Sequence, residues 1–426
     1  MKKLAYLILI FLVKFFCINP ALPQGNHITD SLYTLLKESK DKAALLNSLS
    51  AEYLNISPLR SKELASEAME TARKEKNDLE EANSWHNAAC AWMAQGHYDT
   101  SLYMLEKSQA LFNKLGYSEG LLRTRNSLAN LLFLQGRLDE SLSQYENNLA
   151  QSEKENLTAI KASATTNIGR INWLRGKYET ALEYYNDALK MADSLRNESM
   201  QGMINLLAGI AYQDMGYYDL ATGRILLATE LFEKMNYLSK LPYAYNYLGS
   251  VYFELQDNEK ALSSFRKALD GFLQNGDQWG KAVTYRYMGR SFRRLQLSDS
   301  ALYYFRASLA LANNLNDKSG ELYSRRFLAE VLFEQGEQDS ARILFNENID
   351  KSVLTGNIRE KVNNLYDLGL LYIREGKLQK AVSFLQDAVI IADSLDLFYE
   401  NMLINKQLAD TYEQMGEPGK ALAFYK

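Results

Sequence analysis

Apolar and small residues recur along this chain on two spacings, three or four residues within a segment and forty residues between segments. The stretches "KYETALEYYNDALKMADSL" (177–195), "NEKALSSFRKALDGF" (258–272) and "LQKAVSFLQDAVIIADSL" (378–395) share one skeleton. A small residue is followed four later by an aromatic or large aliphatic one, and three after that by another small residue. These offsets place all three on one face of a helix. The small openers are Ser61, Ser101, Ser141, Ala181, Ala221, Ala261, Ala301, Ala341, Ala381 and Ala421, stepping by 40 each time. Twelve residues upstream, Ala89, Ala129, Gly169, Gly209, Gly249, Gly289, Ala329, Gly369 and Ala409 keep the same step. An apolar residue precedes each of these, and three residues after it comes an aromatic or aliphatic one, from Trp92 to Tyr412, with Asn172 the exception. Glycines 96, 136, 176, 216, 336, 376 and 416 follow, with Gln256 and Gln296 in their place in two units. Glycine adopts the left-handed conformation that ends a helix, so each unit is predicted to be a pair of helices with a turn between them.

The packing logic comes from side-chain size. Small residues let two helix backbones approach closely. The larger residue four after the opener (Leu105, Tyr145, Tyr185, Ile225, Phe265, Phe305, Phe345, Leu385) is predicted to fill the space between one hairpin and the next. One hairpin cannot bury its own apolar face, whereas a stack can, so the pattern predicts an all-α fold built as an array.

The order aliphatic, Gly/Ala, aromatic, Gly, small, aromatic, small resembles the tetratricopeptide repeat, and "LGSVYFELQDNEKALSSFRKAL" (248–269) is a close likeness. The resemblance runs over about nine full units from roughly Leu45 to Lys426. It departs in period, 40 residues against the usual 34 or so, and the opening tryptophan of the pattern occurs once, as Trp85. In this it resembles the long-repeat forms found in bacterial regulators and kinesin light chains. It implies a right-handed α-solenoid of antiparallel helix pairs, with the array over 42–426, a capping helix at 29–41 and about ten units. "TDSLYTLLKESKDKAALLNSLSAEYL" (29–54) reads as that cap followed by a weaker first unit, in which Pro58 stands where the aromatic usually is. The last unit stops at Lys426, one residue past Tyr425 and without a cap, which reads as a fragment of a longer protein or an early end to the gene, with a genuine terminus as the alternative.

Composition changes the picture at the start of the chain. "MKKLAYLILIFLVKFFCINPALPQG" (1–25) has a basic opening, an apolar block interrupted at Lys14, and a break at Asn19-Pro20. It reads as a secretory signal cleaved within 21–26, or as an uncleaved anchor, and either exports the downstream chain to a periplasmic or extracytoplasmic location. The 426 residues carry a formal charge of −4, and three lysines lie in this segment, so the remainder is more acidic still. A mildly acidic surface argues against a nucleic-acid partner. Cys17 falls within the segment, which leaves Cys90 with no partner for a disulfide; a lone helical cysteine is most often a small buried hydrophobe.

Catalytic chemistry is not visible. His27, His86 and His97 have no metal-ligand spacing, and phosphate-loop, zinc-protease and nucleophile-elbow motifs are all missing. The chain reads as a non-enzymatic binding scaffold with no cofactor and no metal. In the repeat it resembles, ligands lie along the wall made by the first helices, at positions three before, one after and four after the Gly/Ala position. Here those offsets give His86, Cys90 and Met93; Asn126, Asn130 and Phe133; Thr166, Arg170 and Trp173; and, further on, Asn246, Arg286, Arg290, Arg293 and Arg326. Arg286, Arg290 and Arg293 make a stripe on one helix face, with Arg326 one unit on and Tyr243 and Tyr323 able to flank it. One reading is an arginine patch for a carboxylate-bearing peptide. The other is a charge ladder between repeats, since Glu330 and Glu334 sit one unit beyond. Phe133 with Trp173 is a second candidate contact. The exported start and the opening of the array also resemble the sensory regions of bacterial membrane signalling proteins, in which a membrane helix and a kinase or DNA-binding domain come next. A free-standing periplasmic adaptor is the alternative.

Overall fold

The forty-residue frame becomes, in the computed structural model, a run of helices about seventeen residues long joined by short turns. The structure describes residues 27–54, 56–395 and 397–424; the signal or anchor segment, Cys17, Tyr425 and Lys426 lie outside them. Among the described residues there is no strand, and no helix is long and apolar enough to cross a membrane. The first helices of the pairs include Asp78–Ala94, Ser118–Leu134, Thr158–Leu174, Gln278–Arg294, Lys318–Glu334 and Ile358–Arg374. Their partners include Tyr98–Leu115, Leu138–Lys154, Tyr178–Ser194, Ser298–Asn314 and Gln338–Thr355. The chain divides at Asp257/Asn258 into two compact units, and each is a stack of such pairs. A shorter helix, His27–Glu38, precedes Lys42–Tyr53.

From Lys76 to Gly416 the described turns rest on left-handed residues, and these fall every twenty residues rather than every forty. Gly96, Gly136, Gly176 and Gly216 close first helices, with Gln256 (φ 63°) and Gln296 (φ 60°) taking glycine's place. A second series, in which Lys76, Asn156, Arg196, Asn236 and Asn316 stand beside Gly116, Gly276 and Gly356, closes the second helices. In both, the residue after the left-handed one donates its N–H to a carbonyl five back, as Tyr117 does to Phe112 and Asn197 to Ala192 at 3.0 Å, which satisfies the last turn. Several first helices start on a side-chain cap: the carboxamide or carboxylate of Asn77, Asn197 and Asp317 accepts from the backbone N–H three residues on. Each such cap contributes about 1 kcal/mol.

The large residue after each opener seats first in its own hairpin. A Cβ on Gly169 would meet the Tyr185 ring at 2.7 Å, one on Gly209 would meet Ile225 at 2.5 Å, and one on Gly289 would meet Phe305 at 2.6 Å. The same ring then reaches the following pair: Phe305 stacks on Phe327 with centroids 5.4 Å apart, and Phe265 on Tyr287 at 5.4 Å. One knob therefore serves two contacts, and its complete burial stabilises by roughly 1.5–3 kcal/mol. Where an opener is serine, its hydroxyl donates to the carbonyl of the small residue it faces, Ser101 to Ala89 at 2.9 Å and Ser141 to Ala129 at 2.8 Å. Asn148 and Asn348, at the second small position, donate likewise to Leu122 and Leu322.

Beyond the short Lys42–Tyr53 at the start of the array, one further first helix breaks the frame. Leu241–Glu254 begins three residues late and spans 14 residues. Pro242 is the cause, because proline lacks the N–H of a helix interior and is tolerated only in the first turn. The preceding turn buries Tyr237.

Candidate functional site

In the unit formed by 258–424, the arginine stripe resolves into internal ion pairs. The Arg293 guanidinium donates to Glu334 Oε1 through Nε (2.9 Å) and Nη2 (2.7 Å), and through Nη1 to Glu330. Arg326 pairs with Glu330 and, through Nε, with Glu360 Oε2 at 3.1 Å, and its Nη1 lies 3.6 Å from Asp367 Oδ2. Glu360 is fully buried, so Arg326 supplies a charge the fold itself needs. Burial pushes the Asp367 carboxyl above the usual carboxylate range, with Arg326 opposing. Arg286 lies above the Tyr323 ring at 5.3 Å, and Arg290 above Tyr287 and Phe327 at 5.7 and 5.6 Å. Arg293 and Arg326 are thus committed to the ladder, and Tyr323 is partly covered.

The other predicted contacts are core residues. Phe133, Arg170, Trp173, Tyr243 and Asn246 are all buried. The Arg170 guanidinium lies 4.4 Å from the Phe133 ring centroid and donates to Asn167 Oδ1 at 2.7 Å. Trp173 Nε1 donates to Asp214 Oδ2 at 2.7 Å, and burial raises the Asp214 carboxyl to about 6 against that hydrogen bond. These side chains hold the stack together and offer no free surface to a ligand.

The wall positions do form a cavity in the unit that ends at Asp257. Its volume is about 470 Å³, and it runs along four successive first helices, Lys42–Tyr53, Asp78–Ala94, Ser118–Leu134 and Thr158–Leu174. His86, Cys90, Met93, Asn126 and Asn130 line it, as their offsets predicted, with Asn47, Glu52, Glu80, Asn83, Glu119, Arg123 and Ser127. Asn83 and Arg123 are one helical turn ahead of the predicted positions on the same face. Carrying the frame back by that turn would have found them. Burial first, then Arg123, lowers the His86 pKa to about 3, so the ring is neutral; its Nε2 is 3.0 Å from Ser127 Oγ. Burial pushes the Cys90 thiol up to about 11, which leaves it a packing group and not a nucleophile.

Carboxamides dominate the wall, and the fold orients them. Asn126 Oδ1 accepts from Asn148 Nδ2 at 2.7 Å, Asn130 Oδ1 from Tyr145 Oη at 2.5 Å, and Asn83 Oδ1 from Arg123 Nη2 at 2.5 Å. With each oxygen already accepting a hydrogen bond, the three Nδ2 groups are the donors these side chains can offer to whatever enters. Asn87 Nδ2 donates to the Asn47 carbonyl at 2.9 Å, and Asn47 Nδ2 to Glu80 Oε2 at 2.8 Å, linking neighbouring helices.

Stacked helix pairs with a polar cavity on their first helices define an α-solenoid scaffold. The chain carries tetratricopeptide repeats: models of that repeat match residues 120–194 and 241–314, and a second such model matches 362–392. Comparison with curated protein sequences gives no match. Among solved structures, the apo form of the quorum sensor NprR from B. thuringiensis aligns with a TM-score of 0.63 at 17% identity, over 83% of this chain and 97% of that one. Aspartyl phosphate phosphatase F from Bacillus subtilis aligns at 0.55 and 14%, over 91% and 93%. The Rap conjugation gene regulator of plasmid pLS20, in complex with a Phr peptide, aligns at 0.51 and 15%, over 90% and 92%. At these identities the likeness is one of fold.

Proposed function

We propose that this protein is a peptide-binding scaffold with no turnover of its own, and that it is the exported sensory region of a bacterial signal-transduction protein. The observation that carries the binding reading is the row of oriented carboxamides at Asn83, Asn126 and Asn130. Amide donors at helical-repeat spacing suit the carbonyls of an extended peptide, whatever its side chains. The cavity also has the size class of a ligand site. The likeness to a regulator solved with a peptide, and to a quorum sensor, supports the same direction. The export reading rests on the Met1-Lys2-Lys3 opening and the apolar block after it.

The test keeps the fold and removes the donors. Asn126→Asp with Asn130→Asp retains the oxygens that Asn148 and Tyr145 use while deleting both Nδ2 groups. Fluorescence anisotropy with labelled, acetylated and amidated random hexapeptide pools should show saturable binding. The double variant should weaken it by about tenfold or more, since each lost hydrogen bond is worth roughly 1 kcal/mol. Absence of binding by every pool, or equal binding by the variant, overturns the reading.

A further inference from the structure

The cavity wall carries three carboxylates, Glu52, Glu80 and Glu119, against one guanidinium, Arg123, and none of the four is in an ion pair with a described residue. Glu80 accepts from Asn47 and Glu119 from Tyr117. Glu52 makes no hydrogen bond and no ion pair with any described residue, although it is only partly exposed. Its place in the frame sharpens the anomaly. Position 52 corresponds to Trp92, Leu132, Asn172 and Tyr212, where later units put packing residues, mostly aromatic or aliphatic. The first unit puts a carboxylate there instead, on the helix Lys42–Tyr53 that forms one end of the cavity. A charge placed at a packing position with no partner among the described residues breaks a local rule, and such breaks mark functional positions.

We propose that this cavity takes a ligand bearing a cationic group, an ammonium or a guanidinium, and that Glu52 is its counter-charge. The proposal deepens the peptide reading, on which it rests for the identity of the ligand backbone. The chemistry is shared by an arginine or lysine side chain and by a free polyamine. The cation supplies the partner the wall lacks, and the carboxamides at Asn126 and Asn130 bind the neutral part of the ligand beside it. Burial raises the Glu52 carboxyl to about 7. The ionisable group facing it from elsewhere in the unit is Tyr237, whose own pKa Glu52 helps to raise after the larger effect of burial. The other charges on the wall are Glu80, Glu119 and Arg123, with His86 neutral. Binding a cation therefore expels a proton from Glu52 near neutral pH, and affinity rises as pH passes up through about 7.

The test is isothermal titration calorimetry on the full chain and on Glu52→Gln. The probes are acetylated, amidated hexapeptide pools with one position fixed as arginine, its neutral isostere citrulline, or glutamate, and separately spermidine. At pH 8 the arginine pool should bind at least about tenfold tighter than the citrulline pool, as hydrogen bonds to charged groups do, and Glu52→Gln should erase the difference. Titrations at pH 7 in buffers of different ionisation enthalpy should show proton release by the parent chain and none by the variant. Thermal melting at pH 8 should find Glu52→Gln as stable as the parent or more so, showing that lost binding is not lost folding. Arginine and citrulline pools that bind alike would overturn the cation site and leave the peptide reading standing. Glu52-dependent binding of spermidine alone would uphold the cation site and overturn the peptide reading.

Discussion

Arg326 stands among Glu330, Glu360 and Asp367, with Glu360 fully buried, and it shows how a residue that looks like a recognition group can be structural. Removing it leaves Glu360 and Asp367 without their main cation, and Glu330 with Arg293 alone. Arg326→Ala should cost about 3–5 kcal/mol, the range for breaking a buried pair from one side. Arg286→Ala, which loses only a cation–π contact with Tyr323, should cost about 1 kcal/mol or less. Urea denaturation of the two variants separates them, and equal losses would mean that the ladder does not carry the load assigned to it. Asp214 gives the complementary case. Its folded-state carboxyl is raised to about 6 from an ordinary value near 4, by burial first, with the Trp173 indole opposing. The folded state thus holds the proton more tightly than the unfolded chain. Its contribution is fully present below about pH 4 and is lost as the pH climbs through 6. Asp214→Asn keeps an oxygen for Trp173 Nε1 and cannot ionise. It should be more stable than the parent at pH 7.5, by about 2 kcal/mol, with the gap closing by pH 4. A gap that persists at pH 4 would assign the effect to packing.

At the scale of the element, glycines with ordinary helical φ separate into two kinds. A Cβ on Gly289 would come within 2.6 Å of the Phe305 ring, while one on Gly223, in Tyr218–Lys234, would meet nothing within 4 Å. Gly289→Ala should therefore destabilise by roughly 1–3 kcal/mol through overpacking, and Gly223→Ala should stabilise by about 0.5–1 kcal/mol through helix propensity. Denaturation midpoints that move the same way would rule out the close hairpin contact as the cause. This contact was legible in the sequence, because small and large residues held one register from Ser101 to Ala388. The half-period turns were harder to see: Lys76, Asn156, Arg196, Asn236 and Asn316 adopt the left-handed conformation without the glycine that advertises it. Asparagine is little strained there, but lysine and arginine are held by the carbonyls they close. The late start at Leu241 was visible only as Pro242 interrupting a pattern of otherwise good helix formers. The site divides the same way. The same wall offsets gave His86, Cys90, Met93, Asn126 and Asn130 in the cavity and the arginines of the ladder, whose pairing with Glu330 and Glu334 was one of the two readings the charges allowed. The pairing of Arg326 with Glu360 and Asp367 depends on which helix face comes after it, which side-chain type does not encode.

At the scale of the whole molecule, a repeat array has mostly nearest-neighbour energetics, so a perturbation should stay local. Each first helix packs chiefly on its own partner and on the second helix before it, through contacts such as Gly169–Tyr185 and Phe305–Phe327. No single core spans the described helices, and opening one pair exposes the faces of its two neighbours only. Amide hydrogen exchange reads this directly. In Arg326→Ala, exchange should accelerate in Lys318–Glu334 and Ile358–Arg374, the two helices joined by its ion pairs. The helices from Tyr98 to Leu174 should keep the protection of the parent. The converse experiment adds the arginine-fixed peptide pool to the parent chain. Protection should then rise along Lys42–Tyr53, Asp78–Ala94, Ser118–Leu134 and Thr158–Leu174, the four helices that wall the cavity, while the exchange of Lys318–Glu334 stays as it was. A ligand that slowed exchange around Arg286 and Arg290 and left the Asn126 wall unchanged would move the binding site to the arginine stripe. Uniform protection throughout the chain would mean that the pairs couple as one cooperative block, and the nearest-neighbour description would have to be given up.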